Sequence, residues 1–280
     1  MLNKLNDFFS KPESENDFKK TCFNLLQKHY NFNPVYRSYC DLINKPPSTI
    51  KLLKEIPFLP ISFFKTHEIK TFTEKSKLIF ESSGTTGKKK SQHFLKNANN
   101  YKKSFSKSFE LFYGKPNEWV ILALLPGYNQ RGGSSLIYMI TDLIKQSDSH
   151  ESGFYLNDFD KLYKILLDLE SKKKKTILIG VSFALMSFIE QKKIKLNYTI
   201  IIETGGMKGI RKELTRNELH KILCKGFGVK TIHSEYGMTE LLSQAYSIKN
   251  GLFECPPWMK VLSREVDDPL TLCEFEKIGG

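Results

Sequence analysis

The sequence predicts an α/β fold built on a largely parallel sheet. Two observations carry that expectation. From about Lys77 onward, short apolar runs of strand length alternate with stretches of helical period. Most of these runs stop in a turn rich in glycine and hydroxyl side chains, at the kind of strand end where such sheets bind ligands. A third observation bounds the size. With 280 residues, 40% of them hydrophobic and 26% charged, the chain holds one large domain or two modest ones and has the apolar content of a folded protein.

The first part reads helical. Asp17 to Tyr30 place Phe18, Cys22, Leu25 and Leu26 at helical spacing. Residues 56–69 (IPFLPISFFKTHEI) carry two prolines and clustered aromatics, which predicts an extended, packed connector rather than a helix. At Lys77 a short apolar strand, KLIFE, runs into the turn SSGTTGKKKS. Residues 97–112 predict a helix with Tyr101, Phe105, Phe109 and Phe112 on one face. Trp119 to Leu125 predict a buried strand, followed by the turn PGYNQRGG and the helical run SSLIYMITDLIKQ.

The alternation continues with the amphipathic helix DFDKLYKILLDLESKKKK, whose Lys172 to Lys175 read as a solvated end. Thr176 to Gly180 follow as a strand, VSFALMSFIEQKK as a helix and YTIIIETGG as a strand. RKELTRNELHKILCKGFG reads as a helix, and VKTIHSEYG as a strand plus turn. The tail has short β-like runs broken at Asn250-Gly251, Pro256-Pro257 and Asp268-Pro269. It predicts a small antiparallel section that stops in strand-like material. No internal repeat or long linker divides the chain.

Composition excludes several classes. Net charge is +13, but only five of the 43 basic residues are arginine (Arg37, Arg131, Arg211, Arg216, Arg264). Base reading leans on arginine forks, and no basic stripe with interleaved aromatics stands out, so nucleic acid is not the expected partner. The lysine excess favours acidic small molecules such as nucleotides through the long-range field. Five scattered cysteines form no C-x-x-C pair, and six histidines form no H-x-x-x-H spacing, so neither a zinc ribbon nor a histidine metal site is indicated. The longest apolar stretch, Ile177 to Ile189, is interrupted by Gly180, Ser182 and Ser187 and is too short to span a bilayer. The N-terminus lacks an apolar signal region, which makes the cytoplasm the expected compartment. Gly180-Val181-Ser182-Phe183-Ala184 lacks the last glycine of a G-x-S-x-G elbow, which argues against a serine hydrolase.

Three turns carry chemistry. Ser82, Ser83, Gly84, Thr85, Thr86, Gly87 and Lys88 to Lys90 combine close backbone approach, four hydroxyls and three positive charges, which suits phosphate oxygens. The run is not a Walker A loop, since only two residues separate its glycines. Taken alone it is equally a polar turn at a strand end. The second segment is Ser234-Glu235-Tyr236-Gly237-Met238-Thr239-Glu240. It offers a ring to stack on a base, a hydroxyl for a phosphate oxygen and a carboxylate for Mg²⁺. Taken alone it is a strand followed by a helix starting near Thr239. In the third, Glu203-Thr204-Gly205-Gly206, paired glycines let a flat ligand lie against backbone, or simply form a tight strand-to-helix turn.

In this order, each after a strand, the three segments resemble the adenylate-forming superfamily of acyl-CoA synthetases, peptide-synthetase adenylation domains and luciferases. The S-S-G-T-T-G-K stretch is similar to its phosphate loop, Tyr236-Gly237-Met238-Thr239-Glu240 to its Y-G-x-T-E motif, and Gly205-Gly206 to the glycine loop beside adenine. Within it, IPFLPISFFKTHEI, PGYNQRGGSSL and HSEYGMTELLSQAY followed by CPPWMKV resemble the LuxE family of acyl-protein synthetases, relatives of phenylacetate-CoA ligases, over about residues 50 to 280.

The resemblance implies the N-terminal domain of an adenylate-forming enzyme, with stacked mixed and parallel sheets flanked by helices and a small β section at its end. Residues 1–75 would be a helical and extended segment packed on the main domain of residues 76–280. It implies ATP and Mg²⁺ as cofactors. Ser82, Ser83, Gly84, Thr85, Thr86, Gly87 and Lys88 would cradle the phosphates. Tyr236, with Ser234 and Gly237 beside it, would face adenine across from Gly205 and Gly206. Thr239 would contact the α-phosphate and Glu240 would hold the metal. Tyr128, Arg131 and Gly132, with Gly180 and Ser182, would line the acid pocket; Arg131 alone is as readily a surface arginine. The family's ribose-binding aspartate, mobile lid with its catalytic lysine, and acyl-accepting cysteine would fall beyond Gly280, so weak or absent turnover by this chain alone is expected, and Cys255 and Cys273 are expected to serve packing.

The implied activity is ATP-dependent activation of a fatty-acid carboxylate with acyl transfer to a protein thiol. An acyl- or aryl-CoA ligase and a non-catalytic nucleotide-binding or scaffold module remain the alternatives.

Overall fold

The computed structural model describes residues 9, 12, 14–83, 89–126, 133–205, 214–268 and 270–273. The chain divides into two compact units, one of residues 1–99 with 257–280 and one of residues 100–256.

The first unit opens with α1 (Glu15–Phe32) and α2 (Pro34–Leu42). The Ser14 side chain caps α1 by accepting from the Asp17 N–H, and Asn33 does the same for α2 from Tyr36, with Pro34 suited to the first helical turn. Leu26, Tyr36 and Cys40 form a small core against Phe23, Tyr30, Tyr39, Ile50, Ile56 and Leu59. The segment expected to be wholly extended contains one helical turn, α3 (Phe63–Thr66). That turn starts three residues past Pro60, so no proline ring blocks its hydrogen bonds. The segment packs at Pro57 and Ile69, whereas Phe58 and Ile61 are exposed. β1 (Leu78–Glu81) and β2 (Gln92–Leu95) pair antiparallel on either side of the SSGTTGKKKS turn. The returning segment belongs to the same unit, with Trp258 edge-on to Phe9 at 5.9 Å and Lys260 Nζ 3.6 Å from Glu15.

The second unit holds α4 (Asn99–Tyr113), β3 (Val120–Leu124), α5 (Ser135–Gln146), β4 (Gly153–Phe154) and α6 (Phe159–Ser171). These are followed by β5 (Thr176–Val181), α7 (Ser182–Gln191), β6 (Thr199–Thr204), α8 (Arg216–Phe227), β7 (His233–Tyr236) and β8 (Ala245–Ser247). The strands form one sheet in the order β4-β3-β5-β6-β7-β8, parallel except for the antiparallel β7-β8 pair. β3 and β5 are buried at every position, as central strands covered on both faces must be. The mixed α/β architecture expected from the alternation is therefore observed.

Three local expectations are corrected. The strand expected at VKTIH runs instead from His233 to Tyr236, so Ser234 and Glu235 lie inside the sheet. No helix starts near Thr239; that residue and Glu240 form a turn leading to β8. The first β-run of the tail is not a separate section but the antiparallel edge of the main sheet, and beyond it only the bridges Tyr246 to Glu254 and Arg264 to Leu272 are formed among the described residues.

Candidate functional site

Parallel pairing brings the carboxyl ends of β5, β6 and β7 to one edge. There they fall into two register rows: Gly180, Glu203 and Ser234, then Val181, Thr204 and Glu235. Successive strand residues face opposite sides, so the two glutamates serve different faces.

Glu203 is nearly buried and faces α8. Its Oε1 lies 3.5 Å from both Arg216 Nε and His220 Nε2, and its Oε2 accepts from Ser182 Oγ at 3.3 Å. Ser234 Oγ pairs with His220 Nε2 at 3.2 Å. Burial pushes the Glu203 carboxyl up, but the His220 and Ser234 hydrogen bonds with the His220 and Arg216 charges outweigh it and hold the group below the ordinary carboxylate range.

Glu235 lies on the other face. Its Oε2 accepts from Thr204 Oγ1 at 2.5 Å. Burial pushes it up to about 7 against that hydrogen bond, with the Glu203 charge adding to the rise. Tyr101, Tyr113 and Tyr246 are buried near it, and desolvation first, then the Glu235 charge, pushes all three phenols upward. Beside them Gln244 is buried; its Nε2 donates to Tyr101 Oη at 3.3 Å, while its Oε1 finds no partner among the described residues.

After β7 the chain becomes accessible. The Tyr236 ring is 42% exposed, edge-on to Phe253 at 6.0 Å, and the Arg216 guanidinium lies 4.7 Å over that same Phe253 ring. A Cβ on Gly237 would sit 2.7 Å from Glu235 Oε1, so only glycine fits there without displacing the carboxylate. Thr239 and Glu240 are half-buried in the turn that the Leu241 N–H to Met238 carbonyl bond closes. After β6, Gly205 has φ +62, the left-handed region that glycine tolerates. An exposed ring beside a glycine turn can hold a flat base, and one carboxylate fits a Mg²⁺ that takes its other ligands from phosphates and water. Among the described residues no group of three or more acidic, histidine or cysteine side chains could hold a metal.

Of the residues singled out in the sequence, Gly205, Tyr236, Gly237, Thr239 and Glu240 gather at the ends of β6 and β7. Ser234 is fully buried on His220. Ser182 starts α7, and its hydroxyl also donates to the Gly205 carbonyl at 2.9 Å. Gly180 lies inside β5, where a Cβ would meet Leu124 Cβ at 2.9 Å. In the other unit the Ser82 hydroxyl accepts the Ser91 N–H at 3.0 Å, extending the β1-β2 hairpin, and Ser83 is exposed. Gly84, Thr85, Thr86, Gly87, Lys88, Tyr128, Arg131, Gly132 and Gly206 lie outside the described residues. Sequence reasoning gave no role to Glu203, Glu235, Arg216 or His220. The available signal was an acid at the end of an apolar strand run, YTIIIE.

Burial raises the thiols of Cys22, Cys40, Cys224 and Cys255, which disfavours the nucleophilic thiolate. No described helix is long and apolar enough to cross a membrane.

Comparison with known proteins gives one family. Residues 6–123 match the model of the acyl-protein synthetase family LuxE. The match begins before the expected residue 50 and ends within β3, so it includes the SSGTTGKKKS turn and leaves out the Y-G-M-T-E run. The matched stretch is less than half of the chain, and over it the chain is similar to that family. Curated proteins yield no match. Among solved structures, a mutant form of coronafacic acid ligase from Pectobacterium brasiliense is similar at 21% identity and a TM-score of 0.32, over 47% of this chain and 24% of that one.

Proposed function

We propose that this chain belongs to an ATP-dependent ligase that activates a fatty-acid carboxylate and passes the acyl group to a protein thiol. One observation carries the reading: a glycine turn, an exposed tyrosine, a threonine and a glutamate meet at the ends of two adjacent parallel strands, β6 and β7. The LuxE match over the phosphate-loop segment supports it from the other part of the chain.

In this reading Tyr236 stacks on adenine beside Gly205, Gly206 and Gly237. Ser82, Ser83, Gly84, Thr85, Thr86, Gly87 and Lys88 hold the phosphates. Glu240 holds Mg²⁺, which offsets phosphate charge when bound, and Thr239 donates to the α-phosphate. Buried Ser234 fixes His220 and so acts behind the site. A carboxylate oxygen of the acid attacks the α-phosphorus. The bond to the β-phosphate oxygen breaks, and pyrophosphate leaves with the electron pair. A thiolate then attacks the acyl carbonyl and AMP leaves.

The acid pocket is assigned to the segment after β3 that includes Tyr128, Arg131 and Gly132, and to Gly180 near the end of β5 with Ser182 at the start of α7. The sheet order supports that placement, since the chain leaves β3 for β4 on one side and continues with β5 on the other, a topological switch point.

The test is Mg²⁺-dependent ATP binding by calorimetry, together with pyrophosphate exchange over fatty acids of several lengths. Wild-type chain is expected to bind Mg-ATP, and Glu240→Gln to weaken it about tenfold with an unchanged melting temperature. Thioester formed on coenzyme A instead of a protein thiol would move the reading to an acyl-CoA ligase. Binding without exchange would leave a nucleotide-binding module. No ATP binding would sink the proposal.

A further inference from the structure

We propose that Thr204 and Glu235 form a cross-strand clasp that positions the two nucleotide-facing turns against each other. The inference rests on the nucleotide reading above and assigns the pair a positioning role.

Three observations converge on it. Thr204 and Glu235 are direct register partners in the last row of the β6-β7 pair. Thr204 is the residue before Gly205, and Glu235 the residue before Tyr236. The carboxylate therefore acts on both turns at once: Oε2 accepts the Thr204 hydroxyl at 2.5 Å, while Oε1 stands 2.7 Å from the place a Gly237 Cβ would take. Both side chains are buried, Thr204 at 3% and Glu235 at 7% exposure, so the bond is shielded from competing water and is stronger than a surface bond.

Burying a carboxyl there opposes folding, and an apolar cross-strand pair, such as Ile177 with Ile200 or Ile179 with Ile202 deeper in the sheet, would fill the space without that cost. The position is explained if the bond fixes something packing alone leaves loose. Among the described residues the ladder between β6 and β7 ends at this row. A side-chain bond in it ties the two strand ends together where the turns begin, and their separation sets the gap in which a base would lie.

The experiment measures Mg-ATP affinity of the whole chain by calorimetry at pH 7, with folding checked by circular dichroism. Two variants break the clasp, Thr204→Val and Glu235→Ala. Two keep it, Thr204→Ser and Glu235→Gln. The breakers are expected to weaken ATP about tenfold, and the keepers to stay within about threefold of wild type. The double variant Thr204→Val, Glu235→Ala is expected to lose no more affinity than either single change, because both remove one bond. A structural role alone would lower the melting temperature of the breakers and leave the affinity of the folded protein unchanged. That result, or additive losses in the double variant, overturns the clasp. If one breaker fails to fold, the other with its keeper decides. If wild type binds no ATP, the nucleotide reading has failed, and the clasp falls with it.

Discussion

β5 and β6 are neighbours of six residues each, paired in register from Thr176 to Val181 and from Thr199 to Thr204, yet they end differently. β5 is TILIGV, buried throughout, with nothing ionisable. β6 is TIIIET and delivers Glu203 and Thr204 to the rows where β5 has Gly180 and Val181. β7 continues the contrast with Ser234 and Glu235. Folding stability favours the β5 pattern, since burying carboxyls is costly unless each finds partners. The contrast separates the part of the sheet that holds the fold from the part that holds chemistry.

The largest effect expected on that division comes from the core side. Leu178 is fully buried at the centre of β5, and Leu178→Ala should cost about 2–5 kcal/mol in denaturant unfolding. The protein that remains folded should bind ATP as wild type does. An affinity loss in that fraction would show that the two strands do not divide the work.

Next in size is the pH dependence. Burial pushes the Glu235 carboxyl from its ordinary 4.5 up to about 7 in the folded protein. Its contribution to stability is whole below pH 4.5 and lost as pH rises to 7, on the order of 3 kcal/mol at most. His233 runs the other way. Burial, then the His220 charge, lowers it from 6.5 to about 4, so its contribution is whole above pH 6.5 and lost as pH falls to 4. Between about 4.5 and 6.5 the two slopes oppose. Urea titrations of Glu235→Gln should show stability rising from pH 4 to 6.5 and level above it. Stability of that variant still falling between pH 6 and 8 would mean another group carries the titration.

The smallest effect tests the glycine of β5. A Cβ at Gly180 would meet Leu124 and Leu185 side chains at 2.9 to 3.1 Å. Gly180→Ala should destabilise by about 1–3 kcal/mol through overpacking, without changing ATP affinity. A selective loss of acid-dependent exchange would instead favour the substrate-binding role proposed for Gly180.

Most of the second unit was legible because its strands are uniformly apolar and its helices amphipathic. VILAL, TILIG and TIIIE announce themselves by content alone. β7 did not, because Ser234, Glu235 and Tyr236 read as a turn, and the burial of Ser234 and Glu235 depends on Thr204, His220 and Tyr246, which are brought close only by the fold. β4 is too short for any period to show. The turn residues Gly205, Tyr236, Gly237, Thr239 and Glu240 were visible through their chemistry. Glu203 and Glu235 stood in the same segments, but an acid beside a turn gives no sign in one dimension that it will be enclosed.

The first unit is built from two stretches of chain, with residues 257–273 returning to helices made at the beginning, while residues 100–256 form the second unit without interruption. A ribosome therefore delivers the whole six-stranded sheet before the first unit has its last segment. Phe9 waits for Trp258, and Glu15 for Lys260, through the synthesis of more than two hundred residues. During that interval the nascent protein carries an unfinished apolar surface near its first helices, and the sheet is the natural place for structure to form first.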